Sequence, residues 1–274
     1  MESRFISHNG KLIEEKDAVV SISSVEFSYG FGVYETIRVS HGVSQFLSEH
    51  LERLMHSAKV IGLEYPFTPE SIEKSITELV KVNSADTCNL KILLIGAPKK
   101  EDADIYIMCL NPLFPDKKLY RDGARTTLYK YERALPQAKT LNMLMSYLAY
   151  REAKKTGAYD ALLIANDGSV LEGTRTNFFC IQNKTIISPP EKRILSGVMR
   201  MAVKKCAKKE GYDFVERDIP VTSVGHFDGA FITSTSTKIM PLCSIGEQEI
   251  KIPDSLRELM QKFEVFLEDS RGKL

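Results

Sequence analysis

The chain has 274 residues, 43% of them hydrophobic and 27% charged, proportions that belong to a globular protein with a substantial core and exclude a disordered one. Its 37 basic and 36 acidic side chains leave a net charge of +1. No chain-wide field therefore draws it to nucleic acid or to an anionic membrane, and a small-molecule ligand fits better.

At about 100 to 200 residues per domain, the length suits one large domain or two of moderate size. Cys88, Cys109, Cys180, Cys206 and Cys243 are scattered without a Cys-x-x-Cys pair, which implies neither a disulfide framework nor a zinc knuckle. His50 and His56 fall on different faces of a helix, and the five histidines form no ligand cluster, so no metal is expected. The N-terminal residues lack an apolar signal core, and no stretch nears the 18 or so apolar residues of a membrane helix. A cytoplasmic location is expected.

In chain order, "FISHNGKLIEE" predicts a hairpin turning at His8 to Gly10. The segment "GVYETIRVSHGVSQFLSEHLERLMHSAKVIGL" predicts a strand, a turn at His41 and Gly42, a second strand, and a helix from about Ser48. The helix "PESIEKSITELVKVN" and the strands "NLKILLIG" and "DIYIMCLN" follow. Prolines, Asn, Asp and Gly then break the periodicity in "NPLFPDKKLYRDG", predicting a linker over 114–123 between domains 1–113 and 124–274. Beyond it come the strand "ARTTLYKYE", an apolar helix, and short strands through "DALLIANDGSVLEGTRTNFFCIQNKTIISPP". The helix "GVMRMAVKKCAKKEG", the strands "FVERDIP" and "GAFITST", and a last helix from about Pro253 complete the chain. Both halves mix α and β.

Several familiar site motifs are missing. "YGFGVYET" lacks the third glycine of a dinucleotide fingerprint, and neither a Gly-Lys-Ser/Thr phosphate loop nor a Gly-x-Ser-x-Gly elbow occurs. The candidates lie dispersed. In "LPQAKTLNMLMSYLAY", Leu141, Leu144, Met145 and Leu148 recur at spacings of three and four, predicting a helix headed by Lys139. A helix entrance disfavours an ammonium by up to about 1 kcal/mol. Lys139 is thus either a solvated loop lysine or an amine held partly neutral for attack on a carbonyl. Taken singly, Arg53 in "HLERL" suits a surface salt bridge with Glu49 or Glu52, and Glu172 an exposed strand carboxylate. "LSGVMR" suits a helix start capped by Ser196, which is also an anion site, and "TSTST" a hydroxyl-rich edge strand.

Together, "YGFGVYETIRV", "HLERL", "KTLN", "EGTRTNFF", "LSGVMR" and "TSTSTKIMPL", in this order over nearly the whole chain, resemble the class IV aminotransferases, fold-type IV enzymes that use pyridoxal 5'-phosphate. The resemblance implies an α/β architecture with a smaller α/β N-terminal domain, a larger C-terminal pseudo-barrel domain, a cofactor between them, and a homodimer. It implies that Lys139 carries the cofactor as a Schiff base and that Glu172 pairs with the pyridine nitrogen. Arg53, Thr235 and the N–H groups of Val198 and Met199 after Gly197 would hold the phosphate, and Leu195 would pack on the ring. The chemistry agrees: a phosphate dianion suits a guanidinium fork, a hydroxyl and a helix start. A carboxylate keeps the ring nitrogen protonated, and a freed lysine amine can move the substrate proton.

The substrate side departs from the family pattern. Phe31 and Lys238 stand where acids are usual, and Met199 stands where Thr is usual. The motifs look most like the D-amino acid transaminases, yet their carboxylate-binding Arg-x-His pair is missing after "LLIGAPKKED". Burying an unpaired carboxylate costs several kcal/mol. Arg175, with Lys238 and Tyr34, is expected to supply the anchor, and Ser236 and Thr237 to line the same side. The implied reaction moves an amino group from a D-amino acid to a 2-oxo acid. Rival readings are an aminodeoxychorismate lyase, which also has a Lys-x-Leu-Asn lysine, an L-branched-chain aminotransferase, and a catalytically silent cofactor-binding protein that holds a partner.

Overall fold

The structure, a computed structural model, describes residues 4–112 and 114–270; the expected boundary residue Leu113 lies outside them. The chain divides into two compact units, Met1–Leu113 with Ala138–Asn142, and Phe114–Gln137 with Met143–Leu274. The second segment of the first unit contains Lys139.

The first unit runs β1 (Phe5–His8), β2 (Lys11–Glu14), α1 (Val25–Ser28), β3 (Gly32–Ser40), β4 (Val43–Ser44), α2 (Leu47–Val60), α3 (Pro69–Val82), β5 (Thr87–Ile95) and β6 (Asp104–Leu110). Its strands form one antiparallel sheet in the order β2-β1-β6-β5-β3-β4. The strand period of two turns Val33, Ile37, Val39, Leu90, Ile92 and Leu94 to one face, where they bury against Leu51, Leu54, Ile72, Ile76 and Leu79 of the two helices. Thr68 caps α3 in a reciprocal box with Ser71, and Pro69 opens the helix. The expected turn at His41 and Gly42 forms with positive φ at both residues, as a two-residue hairpin requires.

The second unit begins with α4 (Lys117–Asp122), a short helix within the expected linker, capped by Asp116, whose Oδ1 accepts from Lys118 N at 2.8 Å. It continues through β7 (Ala124–Lys130), α5 (Leu144–Lys155), β8 (Asp160–Ile164), β9 (Val170–Gly173), β10 (Asn177–Gln182), β11 (Thr185–Ser188), α6 (Val198–Lys209), β12 (Asp213–Glu216), β13 (Gly229–Ser234), β14 (Lys238–Ile245), β15 (Gln248–Glu249) and α7 (Asp254–Asp269). The pairing path β10-β13-β14-β7-β8-β9 returns to β10. It therefore closes into a six-stranded barrel, with β11 and β12 extending from β10. Closure removes the open edges that a sheet otherwise presents. Phe178, Cys180, Ile232, Met240, Leu242, Leu162 and Val170 belong to its buried core.

One expectation is corrected. Helix α5 starts at Leu144, five residues beyond Lys139, so the helix dipole does not act on that lysine. The segment 139–141 is instead extended along β3. Tyr34 N donates to Lys139 O at 2.9 Å and Leu141 N to Gly32 O at 2.9 Å, and Val33 bridges Thr140. Gly32 permits this approach, since a Cβ there would lie 2.6 Å from Leu141 Cδ1 and 2.7 Å from Leu94 O. Main-chain pairing across more than 100 residues outweighs the local helical pattern.

Candidate active site

In the first unit, Lys139 is half-buried. Its N–H donates to Ser57 Oγ at 3.0 Å, and that hydroxyl donates to Arg53 O at 2.7 Å, so α2 positions the lysine through backbone bonds. Lys139 Nζ sits 4.4 Å from the ring centre of Tyr34, and Lys91 Nζ sits 3.8 Å from the same ring. The parity of β3 and β5 sets Tyr34 and Lys91 on the face opposite the helices, with Tyr34 opposite Leu93 and Lys91 opposite Thr36. Burial lowers the Lys91 pKa below its ordinary 10.5, and the charge of Lys139 lowers it further against the opposing pull of Tyr34 and Glu35.

Arg53 finds its partner on β3. Its Nε and Nη2 donate to the two oxygens of Glu35 at 2.7 and 2.8 Å, a bidentate fork onto a carboxylate that is fully buried. His50 Nδ1 lies 2.8 Å from Glu35 Oε2. Burial works against a charged Glu35, but Arg53 and His50 outweigh it and hold the carboxyl far below the usual range. Burial also lowers the His50 pKa, against the opposing pull of Glu35. The depressed carboxyl contributes stability above its ordinary pKa of 4.5, and this is lost as pH falls below that value. Arg53→Ala leaves the buried Glu35 without its guanidinium partner and is expected to cost about 3–5 kcal/mol in denaturant melts at pH 7. Pairing it with Glu35→Gln should recover most of that loss; no recovery would contradict the ion-pair account.

In the second unit, Glu172 lies at the end of β9, 5% exposed rather than on the surface. Its Oε1 accepts from Arg133 Nη1 and its Oε2 from Leu195 N, both at 3.1 Å. Helix α6 opens at Val198 with Gly197 as N-cap and no side-chain cap; Ser196 donates instead to Glu191 Oε1 at 2.6 Å. The first N–H groups of the helix, those of the buried Val198 and Met199 included, have no acceptor in the preceding turn. Thr235 is half-buried between β13 and β14.

The expected substrate residues have other engagements. Lys238, at positive φ, pairs with Glu264 of α7, so its charge already has a partner. The guanidinium of Arg175 lies 3.9 Å over the ring of Tyr150. Its turn is pinned by Asp160, 1% exposed, whose Oδ1 accepts from Thr174 Oγ1 at 2.5 Å and whose Oδ2 accepts from Thr176 Oγ1 at 2.9 Å. Thr237 is buried; its Oγ1 is 2.9 Å from Ser234 Oγ, and its carbonyl accepts from Tyr120 at 3.1 Å, while Ser236 is half-buried. Glu35, Lys91, Arg133 and Asp160 were not anticipated. For two of them a signal existed: Glu35 has the core parity of Val33 and Ile37, and Lys91 is a lone charge within an apolar strand. Among the described residues, no group of three or more His, Cys, Asp or Glu could hold a metal, and no helix is long and apolar enough to cross a membrane.

Comparison with known proteins meets this geometry. Residues 32–245 match the family described as "Amino-transferase class IV". The chain is 32% identical to a putative branched-chain-amino-acid aminotransferase of Methanocaldococcus jannaschii over 93% of each chain. It is 28% identical to the D-alanine aminotransferase of Bacillus licheniformis over 88% of each. Among solved structures, it superposes on a T.th. branched-chain amino acid aminotransferase with pyridoxamine 5'-phosphate at a TM-score of 0.89. That match has 28% identity and covers 100% of this chain and 96% of the other. With its family pattern spanning most of its length and its fold shared, the chain belongs to the class IV aminotransferases.

Proposed function

We propose that the protein transfers the amino group of a D-amino acid, such as D-alanine or D-glutamate, to a 2-oxo acid. The cofactor of the family is pyridoxal 5'-phosphate, which when bound supplies the electron sink for breaking the substrate's Cα–H bond. The residues fit it: an uncapped helix start for a phosphate, a buried carboxylate for a ring nitrogen, and a half-buried lysine amine. Lys139 Nζ would hold the cofactor at its carbonyl carbon, whose oxygen leaves as water, and as a freed amine it would carry the substrate's Cα proton. Arg53, Thr235, Gly197, Val198 and Met199 would receive the phosphate, Leu195 would flank the ring, and Glu172 would hold the proton on the ring nitrogen.

The observation that carries the substrate reading is Lys91 beside Lys139 on one tyrosine ring, a cation for a substrate carboxylate next to the reacting amine. It supplies the charge that the missing Arg-x-His pair does not, with Tyr34 beside it. Lys91→Met is expected to raise KM about tenfold to a hundredfold, the range for losing a hydrogen bond to a charged group, with a smaller change in kcat. Because burial lowers the Lys91 pKa, the wild-type KM should climb on the alkaline side at a lower pH than an ordinary lysine dictates. A flat KM in both measurements would remove Lys91 from the reading.

D-amino acids are supported by the resemblance of "EGTRTN" and "TSTSTKIMPL" to the D-amino acid transaminases and by the relatives named D-alanine aminotransferases. A second reading, an L-branched-chain aminotransferase, is favoured by the archaeal relative and the solved structures of that name. Half-reactions with D-alanine, D-glutamate, L-leucine and L-glutamate separate them: faster conversion of the L-acids would sink the D-specific reading. A homodimer is also proposed, since Val19, Ile22, Val25, Phe27 and Tyr29 expose an apolar stretch suited to a second copy. A mass of one chain by light scattering would exclude it. The five unpaired cysteines suit a reducing compartment such as the cytoplasm.

A further inference from the structure

Leu195 is held by both of its backbone polar groups. Its N–H donates to Glu172 Oε2 at 3.1 Å, and its carbonyl accepts from Asn177 Nδ2 at 2.8 Å. Glu172 and Asn177 face each other directly in the register of β9 and β10, and each is only 5% exposed. One cross-strand pair of the barrel thus grips a single residue two positions before Gly197, the N-cap of α6. The other end of the same amide reaches Gly197 itself. A Cβ built there would overlap Asn177 Oδ1, whereas the Arg200 Cβ lies 3.4 Å away. The oxygen of Asn177 therefore fills the place of the missing side chain.

This arrangement solves a specific problem at an anion-binding helix start. A Ser, Asn or Asp at the N-cap would spend an oxygen on the free N–H groups and take them from a ligand. Glycine leaves them available but also leaves the entering backbone loose, and ordering it on binding would cost affinity. Asn177 restrains that backbone from a neighbouring strand through its hydrogen bond to the carbonyl of Leu195.

We infer that Asn177 is the positioning residue of the phosphate cradle: its side-chain amide fixes residues 195–197 so that the first N–H groups of α6 converge on one anion, and it ties that cradle to Glu172. The inference rests on the proposed binding of the cofactor's phosphate at the start of α6. Asn177 acts through the backbone and touches no reacting atom.

The test uses the full chain stripped of cofactor and titrated separately with pyridoxal 5'-phosphate and with pyridoxal, which lacks the phosphate. Asn177→Ala is expected to weaken pyridoxal 5'-phosphate binding by about tenfold or more, the scale of one hydrogen bond, and pyridoxal binding by less than about threefold. Gly197→Ala should give the same selective loss in the wild type by displacing Asn177. In the Asn177→Ala background it should add little, because its Cβ then has room. If Asn177→Ala does not fold, Asn177→Leu keeps the volume, removes the donated hydrogen bond without adding a charge, and should show the same selectivity.

Equal losses for the two ligands, or additive losses in the double variant, would overturn the inference. Thr235→Ala separates its failure from that of the phosphate assignment. Selective loss in Thr235→Ala without loss in Asn177→Ala overturns the role of Asn177 alone. No selective loss in either variant removes the phosphate assignment and the inference with it.

Discussion

Replacing Lys139 with alanine is expected to lower turnover by a factor of at least about 10⁴ and to leave the fold intact, since one amine serves as both cofactor attachment and proton carrier. The fold is expected to survive because the bonds that fix residue 139 are made by its backbone. Its N–H meets Ser57 Oγ, its carbonyl meets Tyr34 N, and the next residue bridges Val33. Alanine keeps all three. The side chain contributes a contact with the Tyr34 ring, worth about 0.5–1 kcal/mol or somewhat more. Thermal melts and single-turnover kinetics check the two halves of this expectation. Borohydride reduction of the loaded wild type, followed by peptide mass spectrometry, should label Lys139. A label on Lys91, whose ammonium shares the same ring, would move the role to that residue.

Glu172→Gln is expected to reduce kcat by about 10²- to 10³-fold while the cofactor still binds within about tenfold of the wild type. A carboxylate can hold a proton on a ring nitrogen, and an amide cannot, so the loss falls on carbanion stabilisation rather than on assembly. The structure adds a reason for retained binding: Gln keeps one carbonyl oxygen that can accept from either Arg133 Nη1 or Leu195 N. It cannot accept from both, and its amide must face the other donor. A modest drop in stability, about 1–3 kcal/mol, should accompany the substitution. Unchanged kcat at saturating cofactor would contradict the role of Glu172.

Local order determined most of what the sequence by itself could specify. Strand parity in "GVYETIRV" and "NLKILLIG", helix spacing in α2, α3 and α6, and the glycine turns at Gly10 and Gly42 all depend on residues within a few positions of one another. Short motifs likewise carry Lys139, Glu172 and the "LSGV" helix start, because a site residue and its immediate backbone are contiguous in the chain. The family follows from those motifs taken in order.

Only the tertiary structure decided the partners, because a hydrogen bond depends on distance in space and not on separation along the chain. Arg53 finds Glu35, 18 residues away and on a neighbouring strand. Glu172 finds Arg133 across 39 residues, and Lys238 spends its charge on Glu264, 26 residues on. Lys139 was expected at a helix entrance from the pattern that follows it. The free edge of β3 draws it into an extended bridge, since unpaired backbone groups on a buried strand cost more than a local helical preference gains. The same pairing brings Lys139 to the Tyr34 ring that also holds Lys91, a grouping of side chains from β3, β5 and the extended segment 139–141 that no window of the sequence contains.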